Sequence, residues 1–165
     1  MAMKSMEIFV TIISGVSVFI VGQLIVKLFV EPFQNYRKTV SDIAYALVVY
    51  ANVYANVGLV DKALEKEASK EFRDLASRLQ SYIYLLPYYQ CIALLTSLPS
   101  RDSLIGVSND LIGLSNGISA SNIDLIIPNL ERVEKIYTCL KIYVVKGMTA
   151  SDYLSSRVTD RHTSE

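Results

Sequence analysis

Chemistry-bearing residues are scarce in this chain. One histidine and two cysteines occur among 165 residues. Cys91 and Cys139 stand singly in apolar surroundings, with neither a Cys-x-x-Cys spacing nor a histidine nearby. That leaves both a disulfide framework and a zinc site without support. Both read as reduced core cysteines, which suits a cytoplasmic body. His162 lies in a run of Asp, Arg, Thr, Ser and Glu, where nothing adjacent would hold an imidazole for proton transfer. There is no Gly-rich phosphate loop, no Gly-x-Ser-x-Gly and no His-Glu-x-x-His. We therefore expect no catalytic residue, no metal and no cofactor. An excess of one charge is missing too. The 16 basic residues balance 16 acidic ones, so no overall field would recruit nucleic acid. Strand-like alternation of apolar and polar residues does not persist anywhere for a useful length.

Against these absences stands one long uncharged run, Ile8 to Val26, bracketed by Glu7 and Lys27. A helix of that length covers roughly 28 Å, close to the ~30 Å hydrocarbon core of a bilayer. Leu28, Phe29 and Val30 extend it past Lys27, whose ammonium can snorkel to the headgroups. A soluble core helix would carry a polar face, and a signal peptide would end in an Ala-x-Ala pattern; this run has neither. The sequence thus predicts an uncleaved transmembrane helix. Lys27, Arg37 and Lys38 on one side outweigh Lys4 on the other, which predicts an outside amino terminus and a cytoplasmic body.

The remainder reads as helical throughout. From Phe33, Tyr36, Val40, Ile43, Leu47, Tyr50 and Tyr54 recur every three or four residues, and Gly58 is a stop. Asp61 opens a second helix with Ala68, Phe72, Leu75, Leu79 and Ile83 on its apolar face, interrupted at Leu86-Pro87. Its charges between Asp61 and Arg78 alternate in sign, as on a solvated face. Tyr88 to Leu98 is apolar but too short to span. Ser100 caps a helix with Leu104, Ile105, Ser108, Leu111, Ile112 and Ser115 inward, ended by Asn116-Gly117. Asn122 caps the last, with Ile123, Ile126, Ile127, Leu130, Val133, Tyr137, Leu140 and Tyr143 on one face. Pro128 bends that helix or marks its start. The expected fold is all-α, one N-terminal transmembrane helix followed by an antiparallel bundle of about four helices. Its divisions are an anchor over 1–31, a bundle over 32–146 and a flexible tail over 147–165. Pro32 leaves open whether the anchor ends there or bends into the bundle.

Three patterns are candidates for function. Thr11, Gly15, Val18 and Gly22 form a stripe of small residues, with Gln23 beside it, that would seat a second copy of the membrane helix. Tyr50, Asn52, Tyr54 and Asn56 repeat at a spacing of four and read either as a ledge for a ligand or partner, or as core-rim tyrosines beside a fraying helix end. Tyr82, Tyr84, Tyr88 and Tyr89 would reach headgroup level if the second bundle helix returns toward the membrane. Gly113 and Gly117 match Gly-x-x-x-Gly, although a helix end is the simpler reading.

Several segments carry a resemblance: Gly22-Gln23 through Lys27, Glu31-Pro32-Phe33-Gln34, Ile43-Ala44-Tyr45 with Tyr50-Ala51-Asn52, Leu75-Ala76-Ser77, Leu98-Pro99-Ser100 and Leu111 to Asn116. Over roughly Gly22 to Gly117 the chain resembles a group of small uncharacterised bacterial proteins with one amino-terminal membrane helix and a helical body. The resemblance implies a bacterial inner-membrane protein and transfers no active site. The expected function is a membrane-anchored interaction module without catalysis, with the bilayer and a protein partner or second copy as its contacts. The alternatives are an oligomerising pore-former lined by Thr11, Ser14, Ser17 and Gln23, and a ligand sensor on the Tyr-Ala-Asn ledge.

Overall fold

The computed structural model of the chain describes residues 2–85, 89 and 98–143. Cys91, Tyr88, His162 and the expected tail over 147–165 lie outside the described residues.

Pro32 does not end the first helix. Helix α1 (Ala2–Ile25) passes through one π-helical turn (Val26–Val30) directly into α2 (Glu31–Val49). Proline lacks an N–H, and its ring collides with the carbonyl four residues back. Widening the preceding turn relieves that conflict, and the Glu31 N–H accordingly reaches the Val26 carbonyl, five residues back. The result is one rod from Met6 to Val49, 44 residues long. Its apolar part buries nothing against the rest of the protein. It is a helix long and apolar enough to cross a membrane.

The rod's second half joins a helical bundle. After the short α3 (Ala51–Ala55) come α4 (Lys62–Leu85), α5 (Arg101–Ser119) and α6 (Ile126–Leu140), the last preceded by a 3-10 turn (Ile123–Leu125). Contacts between helices set their directions. Thr39 meets Tyr82 and Tyr50 meets Glu67, so α4 returns along α2. Ser69 meets Ser115, and Ala76 meets Ser108, so α5 runs back along α4. Gly113 lies against Arg132 and Gly117 against Asn129, which reverses α6 once more. The bundle is antiparallel, with no strand among the described residues. One end, formed by the start of α2, the end of α4, the start of α5 and the end of α6, therefore faces the apolar part of the rod.

The predicted stripes of α2 and α4 pack with those of α5 and α6 into one core. Ile43, Leu47, Ala68, Phe72, Leu75 and Leu79 are fully buried, each large side chain contributing about 1.5–3 kcal/mol by leaving water. Asp61 accepts from the Ala63 N–H at 3.3 Å, and Ser100 accepts from Ser103 at 3.1 Å. Asn122 accepts from Asp124 at 3.0 Å. These side chains satisfy amide groups that a helix start leaves open. Pro128 occupies the third position of α6, where its missing N–H costs nothing; it marks a start and not a bend.

Three expectations need correction. Asn116-Gly117 does not end α5, which runs on to Ser119. The last helix stops at Leu140 because Lys141 adopts a left-handed φ of 55°. Tyr143, expected on its apolar face, is consequently beyond the helix and 96% exposed. Cys139 is exposed, not a core residue, because it falls between Ile136 and Leu140 on the outer side of the α6 stripe.

Candidate functional site

The small-residue stripe lies where its spacing places it, on one face of α1. Thr11, Gly15, Val18, Gly22 and Gln23 are all exposed. A Cβ added at Gly15 or Gly22 would meet nothing within 4 Å, so the face is open along its length. The hydroxyls on this helix turn inward to their own backbone. Thr11 donates to the Glu7 carbonyl at 2.9 Å and Ser17 to that of Ile13 at 2.8 Å. Such bonds satisfy polar groups where no water reaches.

The Tyr-Ala-Asn repeat is not a continuous ledge. The helix breaks at Tyr50 (φ −96°, ψ 17°), so the rest of the repeat lies on the short α3 and its end and does not continue the α2 face. Tyr54 is 1% exposed; its hydroxyl donates to the Leu47 carbonyl at 2.9 Å, one of the acceptors the broken helix leaves free. Neither a ligand ledge nor a wetted rim describes it. Burial pushes the Tyr54 hydroxyl well above its ordinary pKa. Tyr50 and Tyr54 approach Phe72 with ring centroids at 5.9 and 6.5 Å, which pins the corner onto α4. Asn56 donates to the Asn52 side-chain oxygen at 2.7 Å and to its carbonyl at 3.0 Å. Both bonds come from the Asn56 amide and tie the two asparagines together across one helical turn.

A buried polar seam escaped the sequence reading. Glu65 is 3% exposed and accepts from the Gly58 N–H at 2.7 Å and from the Ser121 hydroxyl. It thereby ties the α3–α4 corner to the α5–α6 turn. Above it the Ser69 hydroxyl lies 2.6 Å from that of Ser119, and Ser115 donates to the Ser69 carbonyl at 2.7 Å. Small hydroxyl residues let α4 and α5 approach closely, and the hydroxyls of Ser69, Ser115 and Ser119 pair with one another or with main chain. The available signal was spacing: Ser69 follows Glu65 by four, and Ser119 follows Ser115 by four. The Gly113/Gly117 pair belongs to the same logic. Contrary to the helix-end reading, it forms a close approach to α6, with Gly117 buried against Asn129.

The end of the bundle nearest the apolar rod gathers aromatic and basic groups. Tyr36 and Tyr82 pack edge to face at 6.2 Å, and Tyr82 shares a 3.1 Å hydrogen bond with Thr39. Tyr89 donates to the Pro99 carbonyl at 2.6 Å. Burial raises the pKa of Tyr36 and of Tyr89, so both hydroxyls stay neutral. Of the tyrosines expected at headgroup level, Tyr82 and Tyr89 are thus interior, and Tyr84 is 75% exposed. Beside this cluster opens a groove of about 460 Å³ between α2, Leu98-Pro99 and the end of α6. Arg37 and Lys141 line it together with Phe33, Val40 and Ile142. Among the described residues no group of His, Cys, Asp and Glu side chains is arranged to hold a metal. Comparison with known protein families, with curated proteins and with solved structures returned no match.

Proposed function

We propose that the protein is a membrane-anchored helical interaction module, a scaffold or adaptor held at the cytoplasmic face of a bacterial inner membrane. One observation carries this reading: the apolar segment and the first bundle helix are a single rod. A flexible linker would let a body wander through many orientations. A continuous helix fixes its height and tilt, which serves a protein that must present surfaces to other membrane components. Lys27, Arg37 and Lys38, which follow closely on the apolar run, against Lys4 before it, support a cytoplasmic body.

The test combines topology with contact. An alkaline phosphatase fused after Glu165 should be silent, and a fluorescent protein fused there should glow. Photo-crosslinkers placed on exposed helix positions such as Asn52 and Asp74 should yield a discrete adduct that disappears when residues 1–30 are removed. Active phosphatase, or no adduct from any exposed face, would overturn the proposal. Induced expression should leave the membrane potential intact; depolarisation would favour the pore instead.

A further inference from the structure

We infer that the groove between α2 and the end of α6 binds the headgroup of an anionic phospholipid drawn from the bilayer that α1 crosses. This rests on the anchor reading and adds the lipid that the body recognises. Arg37 lines the groove from α2 and Lys141 from the left-handed turn that ends α6, and among the described residues neither is ion-paired. Phe33, Val40, Leu98 and Ile142 supply an apolar wall beside them. A phospholipid has the same division, a charged phosphodiester joined to apolar ester chains. A soluble phosphate would have no use for the wall.

Height agrees with chemistry. Arg37 lies seven residues beyond Val30 on the same rod, roughly 10 Å at about 1.5 Å per residue. The headgroup layer extends roughly 5–8 Å past the hydrocarbon. Helical side chains lean toward the amino-terminal end of their helix, here toward the bilayer, so the long Arg37 side chain can reach that layer. Lys141 is held at the same end by its left-handed turn, which returns the Ile142 N–H to the Tyr137 carbonyl at 3.0 Å. The groove's volume falls within the ~300–1,000 Å³ typical of small-ligand clefts.

The full chain, inserted in nanodiscs of phosphatidylcholine with a minor share of phosphatidylglycerol, provides the test. Native mass spectrometry of the released protein reads which lipid stays bound. Wild type should retain phosphatidylglycerol preferentially. Arg37→Gln with Lys141→Gln should lower that retention about ten-fold, and the charge-preserving Arg37→Lys with Lys141→Arg should keep most of it. Lys62→Gln with Lys66→Gln, which removes equal charge from the far end, should change nothing. Soluble glycerol phosphate should not displace the lipid. No preference in wild type, unchanged retention in the Arg37/Lys141 variant, equal loss in the Lys62/Lys66 variant, or displacement by glycerol phosphate would each overturn the inference. Insertion is scored separately: a chain that fails to enter the nanodisc overturns the anchor reading as well, and one that inserts without lipid preference overturns the lipid site alone.

Discussion

Two tyrosines with nearly identical burial do opposite things. Tyr54 and Tyr137 are each 1% exposed, yet Tyr54 donates to the Leu47 carbonyl and the Tyr137 hydroxyl has no partner among the described residues. Removing the Tyr54 hydroxyl strands a buried acceptor, so Tyr54→Phe should cost about 1–2 kcal/mol. Tyr137→Phe removes a buried hydroxyl that gains nothing, and should be neutral or slightly stabilising. Urea midpoints of the two variants decide this; equal losses would mean that Tyr137 is hydrogen-bonded after all. Gly58, whose N–H donates to Glu65, is a second sensitive position. Gly58 has φ +81°, and a Cβ there would lie 2.9 Å from the Ser121 carbonyl oxygen. Gly58→Ala therefore meets both a left-handed backbone and a collision with main chain, and should cost about 2 kcal/mol or more.

Among the helices, the close approach of α5 to α6 is the contact with the least tolerance. A Cβ at Gly117 would collide with Asn129, itself fully buried. At Gly113 it would come within 2.6 Å of Arg132 Nε, but a partly exposed arginine side chain can swing away. Gly117→Ala should thus lose about 1–3 kcal/mol through overpacking, and Gly113→Ala should lose well under half of that. Thermal unfolding of both variants checks the ranking. A helix-ending glycine would also be penalised by a Cβ, through a left-handed φ, but among the described glycines only Gly58 has a positive φ, so a loss at Gly117 reports the contact with Asn129. Spacing alone could not separate the alternatives, since Gly-x-x-x-Gly followed by polar residues suits an ending and an interface equally. Pro32 was ambiguous for a similar reason. Proline stops a helix or is absorbed by a wide turn, and the choice depends on whether the segments before and after it gain from being collinear.

The body owes no buried contact to the span. The apolar window of the rod is 0% buried and the π-helical turn buries nothing. Deleting residues 1–30 should therefore leave a folded, helical, soluble bundle, with Pro32 in the first turn where proline is favoured. Circular dichroism with a cooperative thermal transition would confirm it; an unfolded fragment would mean that the bundle needs its membrane. The overall charge balance also conceals an arrangement. Lys27, Arg37, Lys38, Arg101 and Lys141 lie toward the apolar segment against Glu31 and Asp102, whereas Asp61, Glu65, Glu67, Glu71, Asp124 and Glu131 lie toward the other end, with Lys62, Lys66, Lys70 and Arg132. A chain with no net charge thus carries a charge gradient along its axis.

What was legible in the linear chain was whatever depends on composition and on period. The uncharged run from Ile8 to Val26, the all-helical class, the α4 stripe from Ala68 to Ile83 and the caps at Ser100 and Asn122 all follow from local chemistry: burial on one helical face and amide groups needing acceptors. Folding settled the questions that require two distant segments at once. It placed Tyr54 inside, joined Glu65 to Ser121 across 56 positions, turned Gly117 into a contact and set Arg37 and Lys141 around one groove. No period records such pairings, because they depend on the register of antiparallel helices, which the packing of all four fixes together.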